Sequence, residues 1–174
     1  DVLDENNEKF VVTMSGTPDN VTIGGTRPAH TVTITDNDDP PTIDFTATNS
    51  AAVEATTPAT MIAQLSGVSG LDVTADYVLT GTATGGNADY TLIDGTVTIL
   101  AGNTTSILSA TIIDDKVVEV DETIITTLSN PANSTLGTNK VYTYTITNDD
   151  DPPADFKVDT VIATGGTVEF RYWN

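Results

Sequence analysis

Cysteine is absent from the 174 residues, which excludes disulfides, a thiolate nucleophile and a zinc–sulfur site. Basic residues are nearly absent too: Lys and Arg number 6 against 25 Asp and Glu, a formal net charge of −19. Nucleic-acid binding needs basic side chains to neutralise phosphates, so that class is excluded. Anionic membrane surfaces are excluded for the same reason. No apolar run approaches the roughly 18 to 20 residues of a spanning helix, so this segment is expected to make no membrane insertion. Aromatic residues make up only 6% of the chain, too few for the platforms around a glycosidase acid pair. What is abundant is Asp and Thr, 19 and 34 residues respectively. Disorder is excluded because 38% of the residues are hydrophobic, and they alternate in core-forming patterns. The chain opens at Asp1 without Met or a signal peptide, which reads as a mature or cut segment.

An internal repeat organises the sequence. EKFVVTMSGTPDNVTIGGTRPAHTVTITDNDDPP (8–41) aligns with ETIITTLSNPANSTLGTNKVYTYTITNDDDPP (122–153) with two single-residue gaps. Phe10 falls on Ile124, Met14 on Leu128, Ile34 on Ile146, and Pro40-Pro41 on Pro152-Pro153. The offset of 112 to 114 residues is the length of one β-sandwich domain. The chain therefore reads as a window on a tandem array. Residues 1–38 end one unit, 39–151 form a complete unit, and 152–174 open a following repeat or a divergent terminal domain.

Within 39–151 the hydrophobic pattern has period 2 and never 3.6. It predicts seven strands at 42–48, 60–66, 73–80, 96–100, 106–113, 123–129 and 141–147. Turn signals separate them at Ser69-Gly70, Gly85-Gly86-Asn87, Asp94-Gly95, Ala101-Gly102-Asn103 and Asn130-Pro131. The expected fold is all-β, an immunoglobulin-like antiparallel β-sandwich, with Asp94-Gly95 closing a type I′ hairpin.

The acidic residues carry the only chemistry. Asp89, the pair Asp114-Asp115, then Glu119, Asp121 and Glu122, and the run Asp149–Asp151 all sit in inter-strand segments. Loops two strands apart emerge at one end of a meander, so these carboxylates are expected to crowd together beside the Pro-Pro joint. Like charges at close range repel by a few kcal/mol per pair at intermediate dielectric, so a bridging cation is expected. Ca2+ accepts six to eight oxygens in irregular geometry; Mg2+ demands a tighter octahedron, and zinc prefers His or Cys. His30, the one histidine, aligns with Tyr142 on a strand and reads as a packing or surface residue.

Several stretches together resemble the Calx-β repeat, the family named after sodium–calcium exchangers and abundant in large bacterial surface proteins. They are GTATGGNADY (81–90), IIDDKVVEVDE (112–122), LSNP (128–131), LG (136–137) and TITNDDDPP (145–153). The resemblance covers 39–151 and most of 1–38. It implies calcium ligands at Glu54, Asp89, Asp114, Asp115, Glu119, Glu122, Asp149, Asp150 and Asp151, with Val117 contributing a backbone carbonyl. In the leading segment Asn37 replaces the first Asp of the triplet, leaving Asp38 and Asp39 with Glu5 and Glu8 as partners. Lys116 departs from the pattern, and its ammonium is expected to weaken the site.

The function expected from these readings is a non-enzymatic, calcium-binding structural repeat. It would belong to a secreted or surface-anchored adhesin or filament, with calcium stiffening the joint between units. Its partners would be neighbouring repeats of the same chain and, beyond them, surfaces, polysaccharide or other cells. The alternatives are a calcium-sensing regulatory domain of a membrane transporter and a filament subunit built by strand donation between chains.

Overall fold

The computed structural model describes residues 2–14, 19–20 and 29–151, together with the backbone of two short strands at 161–164 and 167–170. The expected Pro152-Pro153 joint, Phe156, and Tyr172-Trp173 lie outside the described residues. The leading segment forms β1 (Glu8–Thr13) and β2 (Ala29–Ile34). Residues 39–151 carry β3 (Thr42–Phe45), β4 (Asn49–Val53), β5 (Ala59–Leu65), β6 (Val73–Gly81) and β7 (Gly95–Ile99). They continue through β8 (Thr105–Ala110), β9 (Glu122–Ala132), β10 (Thr135–Leu136) and β11 (Val141–Thr147). The tail adds β12 (Val161–Thr164) and β13 (Thr167–Phe170), paired antiparallel. The described residues contain no helix.

Two sheets face each other, in the orders β10-β3-β5-β8 and β4-β11-β9-β6-β7. Alternation decides which side chains enter the space between them: β5 buries Ala59, Met61, Ala63 and Leu65 and turns the residues between outward. Opposite lie Val73 and Ala75 of β6, Val97 and Ile99 of β7, Ile124 and Leu128 of β9, and Tyr142, Tyr144 and Ile146 of β11. Phe45 is wholly buried and meets Tyr142 edge-on at 5.5 Å. Each fully buried large side chain contributes on the order of 1.5 to 3 kcal/mol of transfer free energy. One polar contact crosses the core, where the buried Thr126 hydroxyl donates to Met61 Sδ at 3.1 Å. The backbones of β6 and β9 approach so closely at Gly81, whose φ is +123°, that a Cβ there would run into the Thr123 carbonyl.

The predicted first strand over 42–48 ends early, at Phe45, and a further strand that was not expected follows it in the other sheet. The chain leaves β3 after Phe45 and re-enters as β4 on the other sheet, pairing parallel with β11. β4 is the small-residue run NSAAV, without the large apolar side chains that mark an inward face, so periodicity missed it. The two-residue β10 pairs parallel with β3. The sandwich is thus antiparallel except at these two edges, and 39–151 hold nine strands where seven were expected.

Two turn expectations also fail. Asp94-Gly95 closes no tight hairpin: β6 and β7 are joined through 82–94, Gly95 opens β7 opposite Tyr77, and Asp94 Oδ1 accepts from Leu79 N–H at 2.7 Å. Asn130-Pro131 lies inside β9, and the chain turns at Asn133, whose φ is +55°.

β1 and β2 pair antiparallel with Phe10 opposite Val32 and Glu8 opposite Ile34. β9 and β11 pair in the corresponding register, Ile124 opposite Tyr144 and Glu122 opposite Ile146. The side chains differ sharply in cover. Ile124 and Ile146 are buried, whereas Phe10 and Ile34 are about half exposed, because no second sheet lies over β1–β2 among the described residues. His30 is exposed on β2.

Candidate metal centre

The C-terminal ends of β4, β6, β8 and β11 and the start of β9 bring four segments to one end of the sandwich. Because β4 and β11 run in the same direction, their C-terminal ends leave the sheet side by side, and Glu54 N–H donates to the Thr147 carbonyl at 3.2 Å. That places Glu54, only 5% exposed, against the acidic run that follows β11. From the facing sheet, β8 continues past Ala110 through Ile112, which bridges to Tyr90 and whose N–H donates to Thr57 Oγ1 at 3.1 Å. Asp114 and Asp115 emerge beyond it. The loop 82–94 folds back on itself through Asp89, whose Oδ2 accepts from Thr84 N–H and whose carbonyl accepts from Ile113 N–H at 2.9 Å.

Three groups of carboxylate oxygens result, each lying within 4.8 Å of one another: Glu54 with Asp115 and Asp150, Glu54 with Asp114 and Asp149, and Asp89 with Glu119 and Glu122. Glu54 is common to the first two, so the five residues make one double-sided cluster. Asp150 Oδ2 is buried without a hydrogen-bond partner. Val117 gives its N–H to Asp115 Oδ1 at 2.6 Å, a tight Asx turn that fixes the backbone there.

The electrostatics report crowding. Burial raises the Glu54 carboxyl above its ordinary value, and Glu119, Asp150, Asp115 and Asp149 add repulsion in the same direction. Glu122 is pushed up to about 7, first by burial and then by a hydrogen bond to Asp89 and the charges of Asp89, Glu119 and Glu54. Asp150 is raised by burial and by Asp149, Asp115 and Asp114, with Lys116 acting against them. Lys116 therefore relieves part of the repulsion on Asp150, a role beside the weakening expected for it. The donor set fits a hard divalent cation: oxygens alone, an orphaned buried oxygen, and more negative charge than the neighbouring protein groups compensate.

Sequence reasoning missed Asn148. Its Oδ1 accepts from Glu119 N–H at 2.9 Å, its Nδ2 donates to the Asp150 carbonyl at 3.0 Å, and its own N–H reaches Asp121 Oδ1 at 3.4 Å. It fastens the 116–121 segment to the acidic run. Its place ahead of three aspartates was the available signal, overlooked because an amide carries no charge.

The remaining expected ligands lie outside these groups. Among the described residues Asp151 joins none of them. In the leading segment Glu5, Glu8 and Asp38 line one cleft of about 180 Å³, which Asp39 does not line. Asn7 Oδ1 accepts there from Asp36 N–H at 2.8 Å. Asp4 is the buried acid of this segment, at 9% exposure, and was also missed. Burial raises its carboxyl, followed by Asp36 and Asp38.

Fold and rim define the class: a two-sheet β-sandwich whose loops gather carboxylates at one end. The Calx-beta domain matches residues 36–150, and the chain belongs to that family. In structure it is similar to the apo-form Calx CBD1 domain, with TM-score 0.58 and 22% identity over 64% of this chain and 100% of that one. It is similar also to calcium binding domain CBD12 of CALX1.1, with TM-score 0.57 and 23% identity over 62% of this chain and 44% of that one. A third likeness is to the Calx CBD2 domain, with TM-score 0.55 and 12% identity over 62% and 86%. At these identities the likeness is one of fold. The chain spans less than half of the CBD12 chains it matches, 44%. No curated protein sequence matches it.

Proposed function

We propose that residues 39–151 are a calcium-binding unit whose acidic end sets the geometry of the joint to the next unit. The observation that carries this is the buried Glu54, shared between the Asp115–Asp150 and Asp114–Asp149 pairs, with Asp150 Oδ2 left unpartnered. Glu54, Asp114, Asp115, Asp149 and Asp150 would hold one part of the metal, and Asp89, Glu119 and Glu122 another. The Val117 carbonyl, Asp151 and water are available to complete the coordination. Bound calcium supplies the positive charge that cancels the carboxylate repulsion. The protein's contribution is to hold four segments so that their carboxylates converge before the ion arrives.

The wider reading is a tandem array in a secreted or surface-anchored adhesin or filament. Its supports are the common register of β1–β2 and β9–β11, the Pro-Pro joint following Asp39, and the Thr-rich, Lys-poor composition. Proline fixes its own φ and restricts the residue before it, so such joints begin stiff. The likeness to calcium binding domain CBD12 of CALX1.1 favours a second reading, a calcium-responsive regulatory domain of a membrane transporter. A membrane-spanning segment encoded beside this one would decide for the second.

Small-angle scattering of the whole chain tests the stiffening. Calcium at millimolar concentration is expected to narrow the distance distribution and shift the maximum dimension relative to chelator, while magnesium leaves both near the chelator values. Identical curves in calcium and chelator would refute a metal-set joint.

A further inference from the structure

The turn between β5 and β6 touches the leading segment. Gly70 N–H donates to the Asp4 carbonyl at 2.9 Å. A Cβ on Gly70 would meet Glu5 Cβ at 2.9 Å, the Asp4 carbonyl oxygen at 3.2 Å and Leu3 Cδ2 at 3.4 Å. Glycine is therefore demanded by the approach of another backbone. The turn is stiff before anything seats on it. Ser69 is 1% exposed, its Oγ accepts from Leu71 N–H at 3.0 Å, and its carbonyl accepts from Gly102 N–H at 2.9 Å. It lies at the end of the sandwich opposite the acidic rim, beside the start of β3.

The matching registers of β1–β2 and β9–β11 put Glu8 on Glu122. Counting back without gaps, Leu3, Asp4 and Glu5 fall on Val117, Val118 and Glu119. In the leading segment these positions sit on a neighbouring turn. In the complete unit they belong to a loop whose Val117, Val118 and Val120 are 55%, 44% and 80% exposed. Three exposed valines around one glutamate serve no core of their own sandwich.

We propose that the 116–120 loop is a docking edge that accepts the Ser69–Gly70 turn of another unit of this fold, through the Val118 carbonyl and the valine side chains. The proposal rests on the tandem reading above and names its occupant by continuity with the contact already formed at Gly70. An anionic lipid surface is a poor alternative, because Asp114, Asp115 and Glu119 flank the valines. Glu119 belongs to the loop and to the Asp89–Glu122 group at once, so ordering that group also orders the docking edge.

The test extends the chain after Pro153 with a second copy of residues 42–151, which keeps the spacing of the first joint. Valine methyl NMR compares it with the original chain, in chelator and in calcium. The Val117 and Val118 methyl signals are expected to shift in the longer chain. The amide exchange of the second copy's Gly70 is expected to be slowed by about tenfold relative to a copy with no unit before it, the protection of one hydrogen bond. Gly70→Val in the second copy is expected to return the methyl signals to their original positions with both units still folded. Unshifted methyl signals in both conditions would overturn the docking edge, and that comparison needs no variant. A calcium-dependent melt without any methyl shift overturns the docking alone. A methyl shift without any calcium effect supports the docking and removes the metal reading instead.

Discussion

Glu54→Gln is expected to raise the melting temperature in chelator and to abolish most of the stabilisation that calcium gives the unmodified chain. The opposite signs come from one side chain. Without metal, Glu54 is a buried carboxyl facing Glu119, Asp150, Asp115 and Asp149, all of which push its proton affinity up. A charge held there is paid for by the rest of the fold, and an amide of the same shape removes the repulsion at a gain of about 1 to 2 kcal/mol. With metal, the same carboxylate would join both halves of the Asp114–Asp149 and Asp115–Asp150 cluster. A ligand present at about 100 times its Kd stabilises by roughly 2.7 kcal/mol, several degrees for a domain of this size, and Gln forfeits most of that. Thermal melts of both proteins in chelator and in millimolar calcium provide the check. An equal calcium gain in the two would remove Glu54 from the site.

In chelator the protein is expected to lose stability as pH rises from 5 to 8, the reverse of the usual behaviour of ion-paired carboxylates. Glu122 carries most of this, raised to about 7 by burial, by Asp89 and by Glu119 and Glu54. Between the ordinary glutamate value and about 7 the folded chain binds a proton that the unfolded chain has released. The associated stability is therefore complete below the ordinary value and disappears as pH climbs through 7. The loss is on the order of 3 kcal/mol, with Glu54 and Asp150 shifting in the same direction. Asp76 works oppositely: the Asn130 and Thr96 hydrogen bonds hold its carboxyl low, so its contribution fades only in acid, outside this window. Calcium competes with the Glu122 proton, so its stabilisation is expected to grow over the same pH range and flatten the profile. Melts at half-unit pH steps decide it; a chelator profile that rises or stays level from pH 5 to 8 contradicts the apo electrostatics.

The sandwich was legible because burial in it follows alternation, and alternation survives in sequence. MIAQL and YTYTI announce their inward residues at every second position, and Met61, Ala63, Leu65, Tyr142, Tyr144 and Ile146 occupy the core. The acidic loops were legible as stretches of charge, and their gathering followed from strand direction. Two kinds of feature were hidden. β4 is built from Asn, Ser, Ala and one terminal Val, a run whose pattern carries little hydrophobic contrast. Its parallel pairing with β11 is a long-range choice, yet it is what lays Glu54 beside Asp149 and Asp150. Neutral or isolated positions were hidden as well: Asn148 acts through amide hydrogen bonds, and Asp4 is distinguished only by the neighbouring turn that covers it.

Titration calorimetry of calcium into the chelator-treated chain at pH 7.5, with magnesium in parallel, tests the acidic end most directly. The account predicts calcium-selective binding with Kd of about 10⁻⁴ to 10⁻³ M, the range of extracellular calcium modules. It also predicts release of a fraction of a proton at this pH, larger when the titration is repeated at pH 6.5, as Glu122 gives up what it holds, seen as heats that vary with the buffer's ionisation enthalpy. The absence of binding at millimolar calcium, or equal binding of magnesium, would return the carboxylates to solvated loops and contradict the account.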